Sequence, residues 1–187
     1  MKYLITGLGN PGEQYAHTRH NIGFDVLDTL AEVSNISFQD KRYGYISEFK
    51  FKARTFHLLK PSTYVNLSGR AVNYYLNKLK IYPDHLLVIA DDIALPFGKL
   101  RIRPRGGDAG HNGMSSIIQV LGTQNFPRLR FGIGNNFPPG GQINYVLGHW
   151  TKEEKLALPE RIDKACEVIK AFGTIGLDHT MNTYNNR

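Results

Sequence analysis

Short apolar runs alternate with longer amphipathic segments along this chain, and Gly, Pro or Asp residues bound many of the apolar runs. Runs of this length between turn-forming residues are typical of buried strands. The predicted strands are residues 2–7, 43–51, 54–59, 85–90, 99–103 and 129–133.

Apolar residues at helical spacing predict helices between these strands. One stripe lies within residues 24–33, and a further short helix is expected to begin near Met114. Two more stripes are formed by Val72, Tyr75, Leu76 and Leu79 and by Ile162, Ala165, Cys166, Ile169 and Phe172.

The order of elements is mostly strand followed by helix, with a hairpin-like pair of strands in the middle. This order predicts an α/β fold in which a mixed, largely parallel and twisted β-sheet is sandwiched between α-helices. The sequence has no internal repeat, low-complexity tract or long linker, so we expect one domain over residues 1–187. In such sheets, binding sites form beyond the carboxyl ends of the strands.

The composition of the chain indicates which class of partner it binds. The chain carries 23 Lys and Arg against 16 Asp and Glu, a net charge of +7. This surplus favours polyanionic partners, with nucleic acid first among them.

The lone Cys166 excludes an intramolecular disulfide, and the sequence has no apolar run of membrane-spanning length and no export signal. We therefore expect a cytoplasmic protein without membrane contact.

The loop after the first predicted strand concentrates polar chemistry. Gly7, Gly9 and Gly12 match the G-x-G-x-x-G pattern of dinucleotide-binding folds. Pro11 removes one backbone N–H from the stretch that grips a pyrophosphate, and Glu32 falls in a helical pattern instead of at a strand end. A nicotinamide enzyme therefore stays an alternative, and so does a simple turn.

The same loop holds His17 and His20, whose spacing could place both on one metal if the segment were helical. No third ligand follows nearby, so we expect no metal. A neutral imidazole near pH 7 can instead take a proton from water, provided that a carboxylate holds its tautomer. Asp91 and Asp92 end the run of residues 86–90, and either could serve, although both could simply end the strand.

The search for a protein nucleophile finds little. Cys166 lies on the apolar stripe of a helix, where a cysteine is most often part of the core. The sequence contains no G-x-S-x-G elbow for a serine. Attack by an activated water molecule is therefore the preferred chemistry.

A second cluster of charge lies in residues 99–105, where basic and apolar residues alternate. In a strand, Leu100 and Ile102 would face the core, and the basic residues would form an outward ladder. A merely solvated strand face usually carries both signs of charge, whereas this one carries no acid. The pattern favours binding of a polyanion such as nucleic acid. The ladder consists of Lys99, Arg101, Arg103 and Arg105.

Several ordered motifs then resemble one family over nearly the whole chain. They are residues 7–12 with Tyr15, 18–21, 60–69, 91–98, 106–113, 126–134 and 181–185. With these motifs the chain resembles the bacterial-type peptidyl-tRNA hydrolases, which cleave the ester joining a nascent peptide to tRNA. The resemblance implies the phosphorylase/hydrolase-like form of the predicted fold, a monomer, and catalysis without a cofactor.

Carried over by position, the resemblance assigns roles to single residues. The catalytic base falls on His20, and the carboxylate that keeps it basic falls on Asp91. Asn10 matches the residue that distinguishes blocked from free amino termini. Substrate contacts fall on Asn66 and Asn112, and tRNA contacts fall on the aromatic residues Tyr15 and Tyr64.

Three positions depart from the family pattern: Val65, Ala94 and Ala109 stand where Met, an acid and Gly are frequent. None of these departures removes a catalytic group. The asparagines also make chemical sense, because a hydrolase that accepts every nascent peptide must hold the backbone and not the side chains. Which asparagine would stabilise the oxyanion is left open by the sequence, and a non-catalytic RNA-binding protein stays an alternative.

Overall fold

The computed structural model describes residues 1–185, which contain seven strands and six α-helices. The strands are β1 (Lys2–Gly7), β2 (Gln39–Lys41), β3 (Gly44–Phe51), β4 (Arg54–Pro61), β5 (Leu86–Asp92), β6 (Leu100–Arg103) and β7 (Arg128–Gly132). The helices are α1 (Ile22–Val33), α2 (Ser68–Leu79), α3 (Asn112–Leu121), α4 (Gln142–Val146), α5 (Lys152–Thr174) and α6 (Leu177–Tyr184).

The strands form one mixed sheet in the order β2-β3-β4-β1-β5-β7-β6. The central strands β4, β1, β5 and β7 are parallel to one another, whereas β2, β3 and β6 pair antiparallel at the two sides. Parallel strands require crossover connections, and here α1, α2 and α3 lie between them in the chain. The largely parallel, mixed sheet predicted from the sequence is confirmed.

Helices cover both faces of the sheet, and alternate side chains of each strand supply the two cores. On β5, Leu87 and Ile89 pack in the core beneath α1 and α5, and Leu86 and Val88 pack in the core beneath α2 and α3. A strand that is buried on both faces has a continuous apolar sequence, and this pattern predicted β5. Among the described helices, none is both long enough and apolar enough to cross a membrane.

Most predicted elements are present, with ends shifted by a few residues. The predicted hairpin is β3 with β4, and the predicted helix near Met114 is α3. The sequence pattern did not reveal β2, α4 or α6, and it covered only the second half of α5. β2 and α4 are short and bury no residue, so they lack the apolar periodicity on which the prediction relied.

The glycines of the first loop serve close packing between β1 and α1. A Cβ atom on Gly7 would lie 2.3 Å from the carbonyl oxygen of Gly23, the second residue of α1. A Cβ atom on Gly9 would lie 2.9 Å from Asn21 Oδ1. Steric need thus accounts for two of the three glycines that suggested a dinucleotide fold, and Glu32 lies within α1.

The edge strand β6 is covered by the residue that follows α6. Asn185 Oδ1 accepts a hydrogen bond from the backbone N–H of Ile102 at 2.8 Å, and Asn185 Nδ2 donates to the carbonyl of Ile102 at 3.0 Å. The side-chain amide thereby satisfies two backbone groups of an edge strand, which protects the edge from pairing with another chain.

Candidate active site

A cleft of about 270 Å³ opens beyond the carboxyl ends of β1 and β5, as the strand topology predicts. Loops that follow both strands line it, together with the start of α3 and one side of α4. Its lining residues are Asn10, His20, Val65, Asp91, Asp92, Ile93, Ala109, Gly110, His111, Asn112, Gln142, Ile143, Val146 and Leu147.

His20 and Asp91 form a hydrogen-bonded pair in this cleft. His20 Nδ1 lies 3.0 Å from Asp91 Oδ1 and 3.1 Å from Oδ2, and the two side chains are 11% and 4% exposed. Asp91 stands at the end of β5, and His20 stands in the 3₁₀ turn that precedes α1. Since a carboxylate only accepts, Nδ1 donates the proton, which leaves Nε2 as the basic nitrogen of His20.

His111 is a second donor to the same carboxylate, and sequence reasoning did not single it out. Its Nε2 lies 2.9 Å from Asp91 Oδ1. Its Nδ1 accepts from the backbone N–H groups of Gly113 and Met114, which makes His111 the N-cap of α3. Because Nδ1 accepts, the proton of the neutral ring sits on Nε2 and points to Asp91. The imidazole therefore fixes the carboxylate and the helix together.

The charges and hydrogen bonds of this cluster shift the pKa values of the pair in opposite directions. Burial alone would lower the pKa of His20, but the hydrogen bond and the charge of Asp91 outweigh it and raise the pKa above 6.5. Burial alone would raise the pKa of Asp91, but His111 and His20 together hold it well below its usual range. Asp91 is thus an anion that makes His20 a stronger base.

Asp92 does not contact His20, although it lines the same cleft. Its Oδ1 accepts from the backbone N–H of Ala94 at 2.8 Å, and its Oδ2 lies 3.6 Å from Arg130 Nη1. Adjacent strand residues point to opposite faces of a sheet, which separates the two carboxylates. The carboxylate near His20 is therefore Asp91, in agreement with the resemblance.

Three potential metal ligands converge here, namely His20, Asp91 and His111, with ligand atoms within 4.8 Å of one another. A catalytic zinc ion is commonly held by three such ligands. In this arrangement one nitrogen of each histidine, Nδ1 of His20 and Nε2 of His111, is hydrogen-bonded to Asp91, and His111 Nδ1 already accepts from the backbone. His17 points to a different carboxylate, with Nδ1 3.0 Å from Asp25 Oδ1.

Asn10 is held rigidly at the opposite side of the cleft. Its Oδ1 accepts from the backbone N–H of Val65 at 2.8 Å. Its backbone N–H donates to Asn21 Oδ1, and Asn21 Nδ2 donates to the carbonyl of Asn10, both at 2.9 Å. Because Val65 takes one lone pair of Oδ1 and fixes the amide, Nδ2 is the donor that Asn10 can offer a ligand.

The other predicted contact residues fall into two groups. Asn112, the first residue of α3, lines the cleft with Asn10. Asn66 and Tyr64 are exposed beside Val65 but are not among the lining residues. Tyr15 is half-buried in the loop that carries His20. These three positions are therefore not part of the cleft wall.

Of the predicted basic ladder, Arg101 and Arg103 lie on β6, on the α2–α3 side of the sheet, whereas Lys99 and Arg105 lie just outside the strand. Leu100 and Ile102 pack into the core under α5, so Arg101 and Arg103 project from the other face. The antiparallel register places Arg101 opposite Arg130 and Arg103 opposite Arg128. We name Arg101, Arg103 and Arg130 the arginine patch.

Arg128 has a structural role beside this patch. It is fully buried, and its guanidinium donates to the carbonyls of Gly106, Gly107 and Gln124. Burial, followed by the charge of Arg130, lowers the pKa of Arg128 to about 10. The buried guanidinium connects the glycine-rich loop of residues 106–110 to β7. This loop is therefore a fixed part of the rim of the cleft.

One departure from the family pattern has a visible geometric effect. Ala109 adopts φ = 52° at the rim of the cleft, in the left-handed region that glycine occupies most easily. An alanine there carries a backbone strain that a glycine would not. Val65, the second departure, is buried and keeps its backbone contact with Asn10.

An α/β fold with a buried histidine–carboxylate pair beside amide donors is an arrangement typical of hydrolytic enzymes. The family model described as peptidyl-tRNA hydrolase matches residues 4–187 of this chain. The chain belongs to the peptidyl-tRNA hydrolase family.

Individual relatives agree over their full length. A peptidyl-tRNA hydrolase of Phocaeicola vulgatus is 56% identical over 187 residues and covers 100% of both chains. One of Porphyromonas gingivalis is 49% identical over 99% of this chain and 100% of its own. The crystal structure of peptidyl-tRNA hydrolase from Acinetobacter baumannii has a TM-score of 0.92 at 33% identity, covering 98% of this chain and 94% of that one.

Proposed function

We propose that this protein hydrolyses the ester bond between tRNA and a peptide or N-blocked aminoacyl group, and so recycles tRNA from prematurely released peptidyl-tRNA. It would do so in the cytoplasm as a monomer, with residues 1–187 acting as one domain; the last two of these lie outside the described residues. The observation that carries the proposal is the His20–Asp91 pair, 3.0 Å apart, in a cleft that Asn10 and Asn112 also line.

His20 acts as the general base on water. Its Nε2 takes a proton as the water oxygen attacks the ester carbonyl carbon, and Asp91 stabilises the imidazolium that forms. Collapse of the tetrahedral intermediate breaks the bond to the 3′-terminal ribose oxygen of tRNA. The imidazolium returns its proton to that oxygen, so the products are a free carboxyl group and tRNA.

Two asparagines supply donors to the developing oxyanion and to the peptide backbone. Asn10 and Asn112 both line the cleft, and the anchored side chain of Asn10 presents Nδ2. Donors fixed before the reaction cost no reorganisation in the transition state. Neutral amides also suit a site that binds peptides of any sequence, since they add no charge that would select side chains.

The same groups explain how charged aminoacyl-tRNA would be spared. A free aminoacyl-tRNA presents a cationic amine where a peptidyl-tRNA presents an amide. At Asn10 the Val65 N–H already takes one lone pair of Oδ1 and fixes the amide, so the cationic amine would meet the Nδ2 donor, with which it cannot pair. A mismatch of this kind against fixed polar groups can discriminate by several orders of magnitude.

The tRNA itself would be bound outside the cleft by cations and aromatic rings. Arg101 and Arg103 face away from the core under α5, and the register places Arg130 beside them. Neighbouring outward residues on a strand are about 6–7 Å apart, a spacing that matches successive phosphates. Tyr15 and Tyr64 would stack on bases, and Asn66 would contact the substrate beside Val65.

The decisive experiment follows release of the acyl group from N-acetyl-aminoacyl-tRNA by the purified protein, with and without EDTA. The His20→Ala variant should lower kcat by roughly 10²–10⁴-fold. The matched control is His17→Ala, which removes an imidazole that also pairs with a carboxylate but does not line the cleft. Near-normal turnover by His20→Ala would remove His20 as the base, and loss of activity in EDTA would overturn metal-free catalysis.

The same assay separates the alternatives. A non-catalytic RNA-binding protein would bind the acylated tRNA without releasing the acyl group. A nicotinamide enzyme would be protected against thermal unfolding by its dinucleotide and would leave the ester intact.

A further inference from the structure

One wall of the cleft is a short helix that contains no buried residue. Helix α4 contributes Ile143 and Val146 to the lining, and Leu147 follows it. None of the five residues of α4 is buried, and Ile143 is 71% exposed. A helix this short has little stability of its own, so its position depends on the few contacts that hold it.

Arg19, which precedes the catalytic His20, makes several of those contacts. Its Nη1 donates to the carbonyl of Tyr145 at 3.1 Å, and its guanidinium lies 4.1 Å from the centroid of the Tyr145 ring. Its backbone N–H donates to the carbonyl of Gly148 at 3.0 Å. The loop that carries the base is therefore joined directly to both the helix and the residues that follow it.

The guanidinium is itself fixed from the other side. Arg19 is 7% exposed, and its Nη2 lies 3.1 Å from Glu154 Oε1 in α5. Glu154 is immobilised because it forms the capping box of α5, in which Oε1 also accepts from the backbone N–H of Thr151. The planar guanidinium thus binds α4 through Nη1 and α5 through Nη2, and it fixes the position of one helix relative to the other.

Helix α4 has a second anchor that does not involve Arg19. The hydroxyl of Tyr145 donates to the carbonyl of Ile133, just after β7, at 2.6 Å. Tyr145 is thus held through its ring, its carbonyl and its hydroxyl, while the neighbouring Ile143 and Val146 line the cleft. Loosening either anchor would move this apolar wall relative to His20.

We propose that Arg19 is a positioning residue, which sets the distance between the apolar wall of α4 and His20 and thereby the fit of the cleft to the acyl group of the substrate. The proposal rests on the proposed function. The substrate part concerned is the peptide or N-blocked aminoacyl group, because the arginine patch lies on β6 and β7 and makes no contact with α4 among those described.

The test compares Arg19→Lys with the parent enzyme on N-acetyl-aminoacyl-tRNA. Lysine keeps the charge but cannot bond Tyr145 and Glu154 at once while covering the ring. We expect KM to rise about 10-fold with kcat within about 3-fold, since a shift of the wall by a fraction of an ångström weakens binding of the acyl group. The pH profile should be unchanged, because His20 keeps Asp91.

Inhibition by deacylated tRNA is a second measurement, and it distinguishes a positioning role of Arg19 from a merely structural one. Deacylated tRNA lacks the acyl group, so its inhibition constant should be the same for Arg19→Lys and the parent. The matched control is Arg161→Lys, an arginine of α5 whose Nε donates to the carbonyl of Gly98 away from the cleft. That variant should keep its KM.

Tyr145→Phe removes only the hydroxyl anchor and keeps the proposal testable if Arg19→Lys folds poorly. It should raise KM for the acylated substrate without changing inhibition by deacylated tRNA, and Glu154→Gln should do the same more weakly. Unchanged KM in folded variants, or equal losses for acylated and deacylated tRNA, would overturn the proposal. If the parent releases no acyl group, the proposed function fails instead.

Discussion

The imidazoles of His20 and His111 lie side by side, with ring centroids 4.9 Å apart and planes inclined by 31°. Both donate to Asp91 Oδ1, at 3.0 and 2.9 Å. Only His20 has its second nitrogen available for catalysis, because His111 Nδ1 accepts from the first turn of α3. One carboxylate thus orients two imidazoles, of which one would act on water and the other would hold the carboxylate.

The raised pKa of His20 predicts the pH dependence of the reaction. The base must be neutral to accept a proton, so kcat/KM should rise with pH through an apparent pKa above 6.5. The measurement is the initial rate at subsaturating N-acetyl-aminoacyl-tRNA across the range of enzyme stability. An apparent pKa below 6.5 in this profile would show that burial of His20 outweighs its hydrogen bond and charge interaction with Asp91.

Replacing Asp91 by Asn should reverse that shift. Without the charge of Asp91, burial remains as the main influence and lowers the pKa of His20, so the acid limb moves to lower pH. The rate should also fall by roughly 10²–10⁴-fold, because the tautomer and the imidazolium lose their support. Asp92→Asn is the matched control, and its acid limb should stay in place.

His111 has two separable roles, and two substitutions distinguish them. Asn is a good N-cap residue but cannot reach Asp91 as an imidazole does, so His111→Asn should keep the stability of α3 and lower kcat by about 10-fold. His111→Ala loses the cap as well and should cost roughly 1 kcal/mol more in unfolding free energy. Equal kcat for parent and His111→Asn would show that Asp91 needs no second donor.

The arginine patch predicts how binding depends on salt. Arg103→Gln should weaken inhibition by deacylated tRNA and reduce the slope of log affinity against log salt by about one unit. The double change Arg101→Gln and Arg103→Gln should reduce it by about two units if each contacts a phosphate. Lys164→Gln on α5, where Lys164 pairs with Glu167, is the control and should leave the slope unchanged. An unchanged slope in the double variant would limit the patch to solubility.

The contact between Asn185 and Ile102 predicts local protection of the edge strand. Asn185→Ala leaves the backbone N–H of Ile102 without its acceptor, so its hydrogen exchange should accelerate and unfolding free energy should drop by about 1 kcal/mol. The control is Asn182→Ala, an exposed position on α6. Identical exchange of the Ile102 amide in both variants would show that solvent replaces the side chain at no cost.

The sequence predicts the sheet well because its strands carry their own signal. β1 is found at residues 2–7 as expected, and β5 begins one residue later and ends two residues later than predicted. The missed elements are held by contacts that leave no local pattern: β2 pairs with β3 through its backbone, and α6 packs on the core through Leu177, Met181 and Tyr184. Helix α4 depends on Arg19 and Tyr145, which are distant in sequence, and no local periodicity records such a contact.

The candidate site shows the same division. His20 and Asp91 follow strands that end at one edge of the sheet, so their proximity could be anticipated. His111 sits in a glycine-rich stretch that resembles a flexible connection, and imidazole is an unusual N-cap. Its position directly before the first residue of α3 was the sequence signal for an N-cap. The hydrogen bond to Asp91 depends on tertiary structure and leaves no such signal.

A last prediction concerns Asp25, which pairs with His17, three residues before His20. Burial raises the pKa of Asp25 to about 6, and His17 offsets only part of that increase. A carboxyl group with a raised pKa destabilises the folded state as pH rises from its unfolded value of 3.8 to about 6. Asp25→Asn should therefore stabilise the protein by about 1–3 kcal/mol near pH 8 and by about half as much near pH 5. Urea unfolding at both pH values measures the difference, and an equal gain at each would show that the charged form carries no penalty.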